Sequence, residues 1–556
     1  MQTHTWHLTK GLLSPDGVER ELILVNDNFP GPNLFARRGE QLEITVVNDL
    51  DEPTTIHWHG LHQRGSNIMD GVEGVTQCGI PVGQNFTYKL NLDRSGTFWW
   101  HSHSKTHRAE GLYGALIVED PHHDKYKAGE AYDEDLLVVL TDHYHKPTKE
   151  VLQDYVKLLT GSYEPVPDNG LINGLNEFDC QRLHRSSALT CHPGVGKLSQ
   201  FVLDPTKTYR LRIINASAYA DYEFSIDDHE LLIIEADSTE VELVPVHYVP
   251  IASGQRYSAI LTKKTAAAAV YMRAKMNEEC FNYPNLQLDP EVKAIITYKK
   301  SDWLESAKDL LRRKVIKTAI PTTKPWADVI PPNSCRNLDE HLLMPVISQQ
   351  VPPADVQVIV WPRIMKLMRT EQLPYAYFNR TSWRPAIGAP NLQVALGLVN
   401  VSDTPYVSTI SKRPDPKWGG DQLVKEVPLG SVVELIINNN DEDSHPFHLH
   451  GHDFWILHNY EAKHGGLGEW NLDYINSYRL DNPIRRDTFT VPKRGHAVIR
   501  WVADNPGIWS FHCHIIWHLA TGMMMQFSEG METFTEAIPD EMIAQVSGER
   551  KDGKKK

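Results

Sequence analysis

Apolar and polar residues alternate in short runs along most of the chain. Such runs occupy residues 21–25, 41–47 and 86–90 near the start, and residues 432–437 and 496–501 in the last third. Successive side chains of an extended strand point to opposite faces, so this period of two predicts strands with one buried face. Turns rich in Gly, Pro, Asn and Asp separate the runs, and this spacing favours antiparallel β-sandwiches.

A weak internal repeat predicts several related units. Residues 41–48 precede His57 much as residues 433–438 precede His445, and residues 96–103 parallel residues 507–514. A chain of 556 residues also exceeds what one core usually supports. We therefore predict an all-β protein of three consecutive sandwich domains, in which the first and last domains carry matching His-rich strands and the middle domain carries none.

Changes in composition set the predicted boundaries. Residues 306–345 are charged and then rich in proline, which indicates a helix followed by a linker. Residues 541–556 form a polar tail. The predicted domains are then 1–125, 126–305 and 346–540.

Charge and hydropathy limit the possible partners. The net charge of −15 disfavours nucleic acids and anionic membranes, because both bind to basic surfaces. No apolar run approaches 18 residues, so the sequence predicts no membrane span. We expect a protein that binds neither nucleic acid nor membrane and that is a monomer.

Glycosylation sequons indicate export from the cell. Asn-x-Ser/Thr sequons fit a secreted glycoprotein and occur at Asn85, Asn215, Asn379 and Asn400. The first eight residues lack the charged and apolar regions of a signal peptide, so we expect a secreted, extracellular protein whose signal peptide is absent from the chain as given.

Six cysteines leave two possible disulfides. Cys180 and Cys191 are close enough in sequence to close a loop, and Cys280 and Cys335 flank the predicted linker. The alternative for each pair is two free, buried thiols. Cys78 has no obvious partner.

Four His-x-His pairs are the strongest chemical signal. On a strand, residues two apart share a face, so each pair can aim two imidazoles at one point. One such pair is most often two solvated or hydrogen-bonded histidines, but four pairs at matching strand positions favour a metal centre. The pairs are His57 and His59, His101 and His103, His448 and His450, and His512 and His514.

Cys513 lies between two of these histidines and faces the other side of the same strand. The strand can therefore contact two metal centres, one on each face. Two histidines, one cysteine and a weak axial methionine form an electron-transfer copper site. The sequence offers His445, Cys513 and His518 for the trigonal set and Met523 as the axial candidate.

The number of ligands predicts a reaction. Eight further imidazoles can hold three copper ions and leave coordination positions open for a small molecule. Three ions plus the electron-transfer ion store four electrons, which is the number required to reduce dioxygen to water. A copper-binding electron carrier needs only the Cys513 site, and oxygen uptake distinguishes that alternative.

These motifs resemble the three-domain multicopper oxidases of the fungal laccase and ferroxidase group, over nearly the whole chain. Residues 70–78 and 224–227 add to the match. The resemblance implies three cupredoxin-like Greek-key domains and four copper ions. It assigns type 1 copper to His445, Cys513 and His518, type 2 copper to His57 and His448, and the type 3 pair to His59, His101 and His514 on one ion and His103, His450 and His512 on the other.

Departures from the family pattern affect proton delivery and potential. Family members often carry an acid three residues after the cysteine, where this chain has Ile516, so Asp70 is expected to deliver more of the protons. The alternative for Asp70 is a turn residue before Gly71. Many fungal laccases have Leu or Phe at the position of Met523. A thioether ligand favours oxidised copper, so we expect a low-to-middle redox potential at the type 1 copper.

The substrate is predicted only by resemblance. We expect a laccase-like oxidase of small phenols and aromatic amines with O₂ as acceptor. Asp227 matches a laccase acid that accepts the phenolic proton, although a turn aspartate is the alternative. Glu164 resembles a ferroxidase carboxylate that binds ferrous iron. Ascorbate oxidases share the axial Met but have a histidine where this chain has Ala520.

Overall fold

Strands with alternating burial build the chain, as their sequence pattern predicts. In Gln41–Asn48 the side chains of Leu42, Ile44 and Val46 are buried, while the residues between them are partly exposed. The computed structural model describes residues 1–157, 163–184, 187–299, 320–326, 335–366, 374–399, 417–463 and 465–535.

The first domain consists of two four-stranded sheets with the orders β2-β1-β4-β6 and β3-β8-β7-β5. Parallel pairing of β1 with β4 and of β3 with β8 makes the connections cross between the sheets. The strands are β1 Gln2–Leu13, β2 Arg20–Val25, β3 Leu34–Arg37, β4 Gln41–Asn48, β5 Ile56–His59, β6 Asn85–Asn91, β7 Gly96–Ser102 and β8 Tyr113–Glu119.

The second domain pairs a six-stranded sheet, β10-β9-β12-β17-β14-β15, with a five-stranded sheet, β11-β19-β18-β13-β16. Its strands are β9 Glu134–His143, β10 Asn169–Ile172, β11 Ser199–Leu203, β12 Thr208–Asn215, β13 Tyr222–Ile226, β14 Leu231–Ala236, β15 Thr239–Val246, β16 Tyr248–Ile251, β17 Arg256–Thr262, β18 Ala269–Met276 and β19 Glu291–Tyr298.

The third domain pairs two five-stranded sheets, β20-β24-β29-β26-β27 and β23-β31-β30-β25-β28, and adds the hairpin β21-β22. Its strands are β20 Val356–Val360, β21 Pro362–Lys366, β22 Pro374–Phe378, β23 Val424–Val427, β24 Val432–Asn438, β25 His445–Leu449, β26 Phe454–Tyr460, β27 Arg485–Arg486, β28 Thr488–Val491, β29 His496–Val502, β30 Gly507–Cys513 and β31 Met524–Glu529.

Helices are few and short among the described residues. The α-helices are Thr148–Tyr155, Asn391–Ala395 and Ile516–Thr521. The last of these follows β30 directly and places His518 one turn beyond the end of that strand. No helix of the described residues is long and apolar enough to cross a membrane.

The apolar cores continue across the domain boundaries. The core of the first domain extends onto Trp383, Leu392, Ile508 and Met524 of the third domain. One cluster contains most of the buried apolar residues of the second and third domains. This packing fixes the facing edges of the outer domains, where the His-rich strands lie.

The prediction of an all-β chain with three sandwiches is confirmed. Each pair of sheets falls within one of the predicted domains. Of the predicted helix and linker at 306–345, the structure describes residues 320–326 and 335–345, and the predicted helix lies outside the described residues. The predicted tail, 541–556, also lies outside them.

The structure shows which cysteines are paired and that one of the predicted sequons is buried. Disulfides join Cys180 to Cys191 and Cys280 to Cys335, with Cα atoms 5.7 and 5.5 Å apart, and Cys78 is a free, partly buried thiol. Asn215 is fully buried and donates hydrogen bonds to the Ala220 and Ile251 carbonyls, so its side chain is not accessible for glycosylation.

Candidate metal centre

Strand pairing brings the four predicted His-x-His pairs together. In the first domain β5 pairs with β7, and His57 stands directly opposite His101. In the third domain β25 pairs with β30, and His448 stands directly opposite His512. The two strand pairs face each other across the boundary between the domains, and every imidazole of the four pairs is buried.

The imidazoles are close enough to share metal ions. The Nε2 atom of His512 lies 3.2 Å from Nε2 of His103 and 3.0 Å from Nε2 of His450. The rings of His59 and His448 stack with centroids 3.7 Å apart. Since each strand pair belongs to a different domain, neither domain forms this cluster alone.

Hydrogen bonds to the outer nitrogens fix which ring nitrogen is available. A nitrogen that faces a carbonyl must carry the hydrogen, because a carbonyl only accepts. The Nδ1 atoms of His57, His101 and His448 donate to backbone carbonyls at 2.8, 2.9 and 2.9 Å. The Nε2 atoms of the same residues are buried without any partner. Such unpartnered nitrogens facing one another fit a metal cluster.

Burial also keeps these imidazoles in the neutral form, which is the form that binds a metal ion. Desolvation disfavours the imidazolium cation, and the neighbouring imidazoles add to this effect, so the pKa is lowered. The pKa is lowered for His59, His101, His103, His448, His450, His512 and His514.

A second constellation lies on the opposite face of β30. The Sγ atom of Cys513 is 3.8 Å from Nδ1 of His445 and 3.4 Å from Nδ1 of His518, and the two Nδ1 atoms are 3.1 Å apart. All three side chains are fully buried. This triangle of one sulfur and two nitrogens fits the donor set of an electron-transfer copper site.

The thiol of this triangle is prepared for ionisation. Burial raises the pKa of Cys513, but His518 and His445 outweigh it and lower the pKa to about 7. Met523 is fully buried, and its carbonyl accepts a hydrogen bond of 3.1 Å from the Cys513 amide. The axial candidate therefore lies beside Cys513 in the fold.

Two buried carboxylates hold the histidine cluster from outside. Asp70 accepts from Nδ1 of His450 at 2.8 Å, and its Oδ1 lies 3.2 Å from Nδ1 of His57, so it contacts both outer domains. Asp487, which the sequence interpretation missed, lies 3.2 Å from Nε2 of His59. It stands next to Arg486 at the end of a short strand, and no motif marks it.

Glu164 contacts the other constellation directly. Its Oε1 accepts a hydrogen bond of 2.8 Å from Nε2 of His518, which leaves Nδ1 of that ring directed at the thiol. Its Oε2 accepts from the Tyr219 hydroxyl at 2.8 Å and from Asn282 at 2.9 Å. Burial opposes ionisation, but the contact with His518 lowers the pKa of Glu164.

Two more carboxylates lie around this site. Asp441 Oδ2 is 3.1 Å from Nε2 of His445, so both outer imidazole nitrogens of the constellation meet a carboxylate. Asp443 accepts from Asn282 at 2.7 Å, and Asn282 connects it to Glu164. Three carboxyl groups therefore lie around the outer edges of His445 and His518.

The interpretation of Asp227 as a substrate acid needs correction. Its carboxylate is fully buried and accepts two hydrogen bonds from Arg273, at 2.8 and 2.9 Å. Thr323 donates a third at 2.8 Å. The Arg273 guanidinium neutralises this carboxylate, which ties β13 to β18 and has no contact with His445, Cys513 or His518 among the hydrogen bonds of the described residues.

A fifth His-x-His pair shows why spacing alone is not sufficient. His143 and His145, at the end of β9, lie against Asp16. His145 Nε2 is 2.8 Å from Asp16 Oδ2, which also accepts from Asn169 at 2.9 Å. Burial lowers the pKa of His143, and the nearby Arg20 cation lowers it further. Among these side chains the hydrogen bonds already satisfy the carboxylate, which is typical of a structural network.

The three sandwiches, the buried Cys-His₂ triangle and the cluster of eight imidazoles define a copper oxidoreductase with cupredoxin-like domains. Family models described as multicopper oxidase match residues 7–123, 134–301 and 389–532. The chain belongs to the multicopper oxidase family, whose members transfer electrons from a reducing substrate to oxygen.

Relatives with different names are similarly close. The chain is 33% identical to "Laccase-1" of Cryptococcus neoformans var. grubii over 94% of this chain and 79% of the relative. It is 29% identical to "Iron transport multicopper oxidase FET3" of Candida albicans, over 95% and 76%. The crystal structure of the Botrytis aclada laccase superposes with a TM-score of 0.81 at 28% identity, covering 98% of this chain and 91% of that one.

Proposed function

We propose that the protein is a laccase-like oxidase with four copper ions, which oxidises phenols and aromatic amines and reduces dioxygen to water. The Cys513 triangle would hold one ion, with Met523 as the axial ligand, and the eight imidazoles would hold three. When bound, copper supplies the redox chemistry: it accepts single electrons from the reducing substrate and delivers four of them to dioxygen. The residues of the chain determine which donors reach it and where protons go.

The contact between Glu164 and His518 carries this proposal. Oxidation of a phenol by one electron releases the hydroxyl proton, so a nearby base makes the step easier. Glu164 is held in place by Tyr219 and Asn282 and stands against the outer edge of His518. It takes the role that the sequence suggested for Asp227.

Aromatic side chains beside Glu164 suit an aromatic donor. Tyr163 and Tyr283 are exposed, and their ring centroids are 3.9 Å apart. Tyr163 directly precedes Glu164 in the chain, and Tyr283 directly follows Asn282. Exposed rings of this kind can stack on a planar substrate.

Ferrous iron is the second candidate substrate. Hard cations prefer oxygen ligands, and Glu164, Asp441 and Asp443 surround the outer edges of His445 and His518. A carboxylate bonded to an imidazole ligand also offers iron a short route for its electron. The same arrangement can also bind a cation.

Steady-state kinetics on two variants separate the substrates. Glu164→Gln removes the base but keeps a hydrogen-bond acceptor for His518, and we expect kcat/KM for an electron-rich phenol to fall about tenfold or more. Asp441→Asn should affect ferrous iron more than the phenol, because only iron requires the added negative charge. A hundredfold preference of the unaltered protein for iron, abolished by Glu164→Ala, would overturn the phenol proposal.

Copper stoichiometry tests the oxidase itself. We expect four ions per chain, an intense blue absorption and water as the product of oxygen reduction. One ion per chain without oxygen uptake would indicate an electron carrier, and release of peroxide would contradict four-electron reduction.

We also propose that the protein is secreted and monomeric. The side chains of Asn85 and Asn379 are exposed and fit glycan attachment. A mass shift on glycosidase treatment of protein recovered from the culture medium, with the mass of a single chain in solution, tests both points.

A further inference from the structure

A cavity of about 170 Å³ leads to the histidine cluster. His101, His103 and His512 line one side of it, and Ile516 and Trp383 form part of the apolar wall. Its volume suits several water molecules or a small gas molecule. Because the cavity reaches the imidazoles directly, both oxygen and protons can approach the histidine cluster through it.

Glu73 is the carboxylic acid among the described residues that line this cavity. It is partly buried and forms a hydrogen bond with Ser104. The other charged side chains of the lining are those of Lys105 and Arg108, which are cations and not carboxylic acids. Ile516, which also lines the cavity, has no ionisable group and cannot donate a proton.

A chain of hydrogen bonds connects the same cavity to the surface. Ser102, which also lines the cavity, has its Oγ 3.2 Å from Oγ1 of Thr54. Thr54 Oγ1 is 3.0 Å from Nδ1 of His107, and Nε2 of His107 is 2.9 Å from Oε1 of Glu52. The Glu52 side chain is 14% exposed, so the chain begins at solvent.

Each imidazole and hydroxyl link of this chain can both accept and donate a proton, and Glu52, whose pKa is lowered by His107 and Lys105, is the ionised carboxylate at its outer end. An imidazole takes a proton on one nitrogen and releases the proton of the other, and a hydroxyl does the same on one oxygen. His107 is the central link, because its two nitrogens face Glu52 on one side and Thr54 on the other.

We propose that Glu73 donates protons to oxygen being reduced in this cavity, and that Glu52, His107, Thr54 and Ser102 carry protons to the cavity from solvent. Reduction of one dioxygen consumes four electrons and four protons and yields two waters. The electrons come from the reducing substrate, and the protons come from water through these side chains. Each proton that Glu73 gives up is replaced from the hydrogen-bonded chain across the cavity that Glu73 and Ser102 both line.

The surroundings of Glu73 set its protonation. Burial raises the pKa of Glu73, while Ser104, Lys105 and His107 lower it to a smaller extent. The acid therefore keeps its proton to higher pH than an exposed glutamate, and its donor function is lost as pH rises through that value. The titratable or charged groups that face it are Glu52, Cys78, Lys105, His107 and, across the cavity, Arg108.

Reoxidation of the reduced enzyme tests the proposal. The copper-loaded protein is reduced with dithionite and mixed with oxygen, in H₂O and in D₂O, over a range of pH. For Glu73→Gln we expect reoxidation at least about tenfold slower, with a larger solvent isotope effect. Glu73→Asp should recover part of the rate. His107→Gln, which keeps hydrogen-bonding groups but cannot relay as an imidazole does, should also slow the step.

Infrared titration of the copper-free protein supplies a second measurement. Glu73→Gln should remove one carboxylic-acid band that titrates above the ordinary range of glutamate. The matched control is Glu340→Gln, since burial also raises the pKa of Glu340, which lines a different cavity. It should lose its own band and keep normal reoxidation.

Two results overturn the proposal: normal reoxidation of Glu73→Gln at every pH, or an unchanged infrared titration of that variant. Copper content, blue absorption and anaerobic reduction by substrate should be normal in all these variants, which separates a proton defect from a folding defect. Because dithionite supplies the electrons, the outcome does not depend on which reducing substrate is natural.

Discussion

At the scale of the residue, the surroundings of the unpaired ring nitrogen distinguish a metal ligand from a structural histidine. His448 and His145 are both buried in His-x-His pairs. His448 donates from Nδ1 to a carbonyl and leaves Nε2 facing other imidazoles, whereas His145 binds Asp16 through Nε2 and its unpaired Nδ1 lies 4.0 Å from a carboxylate oxygen of Asp168. The first arrangement costs free energy until an ion completes it, because a buried polar atom without a partner loses its hydration.

Replacement of Cys513 should abolish the blue colour and substrate oxidation. Cys513→Ser removes the only sulfur within the His445 and His518 triangle, so the intense absorption is lost. The eight imidazoles are untouched, and three of the four copper ions should remain on metal analysis. Cys78→Ser is the matched control and should keep both colour and turnover. A blue Cys513→Ser protein would contradict the assignment.

Replacement of Met523 should change potential without changing fold. A thioether stabilises oxidised copper more than a hydrocarbon does, so Met523→Leu should raise the redox potential of the Cys513 site. A tenfold change in relative affinity for the two oxidation states corresponds to about 59 mV. Redox titration of the blue band measures the shift, and an unchanged potential would remove Met523 as the axial ligand.

The sequence reveals residues whose role depends on local spacing. Alternation along a strand places His512 and His514 on one face and Cys513 on the other, which the structure reproduces. Asp487 escapes such a prediction because its partners, His59 and Arg256, are far away in the chain. Asp227 misleads for the same reason, since its ionic partner Arg273 lies on another strand.

At the scale of the element, matching strand pairs and one tight turn build the site. The internal repeat in the sequence is visible as β5 with β7 and β25 with β30. The turn at Gly71 keeps Asp70 beside β5, and its φ of +76° is a conformation that glycine adopts readily. The sequence predicts the strands from their period, but it does not predict how closely the turn approaches β5.

Substitution of Gly71 should damage the histidine cluster selectively. A Cβ atom there would lie 1.7 Å from the Ile56 carbonyl oxygen and 3.2 Å from the His57 amide, so β5 must move. For Gly71→Ala we expect loss of copper from the cluster, with the blue absorption of the Cys513 site retained.

Gly83→Ala separates this collision from backbone strain. Gly83 has a similar φ of +72°, but nothing lies within 4 Å of its added Cβ. In both variants the left-handed alanine destabilises the fold by about 1–2 kcal/mol. Only Gly71→Ala should also lose metal. Full copper content in Gly71→Ala would show that β5 tolerates the shift.

At the scale of the whole molecule, the middle domain holds the outer domains in register. Arg256, on β17, donates to the Thr97 carbonyl of the first domain at 3.0 Å. It also forms two hydrogen bonds of 2.6 Å with Asp487 of the third domain. A second buried pair, Arg486 with Asp237, crosses between the third and second domains. The middle domain therefore orients ligands that it does not supply.

Loss of Arg256 should couple stability to metal binding. Arg256→Met leaves the carboxylate of Asp487 buried without its cation, which costs about 3–5 kcal/mol. The same carboxylate orients His59, so copper affinity of the cluster should fall about 10–100-fold. Denaturant unfolding of the copper-free protein measures the first effect, and copper titration measures the second.

A double variant and an exposed pair complete that experiment. Arg256→Met with Asp487→Asn removes both charges and should recover part of the stability, because the uncompensated carboxylate is gone. Arg64 and Asp504 also connect the outer domains, but both side chains are more than 40% exposed. Solvent screens such a pair, so Arg64→Met should cost at most about 1 kcal/mol and leave copper binding intact. Equal losses for Arg64→Met and Arg256→Met would mean that contact area, rather than the buried charge, holds the domains in register.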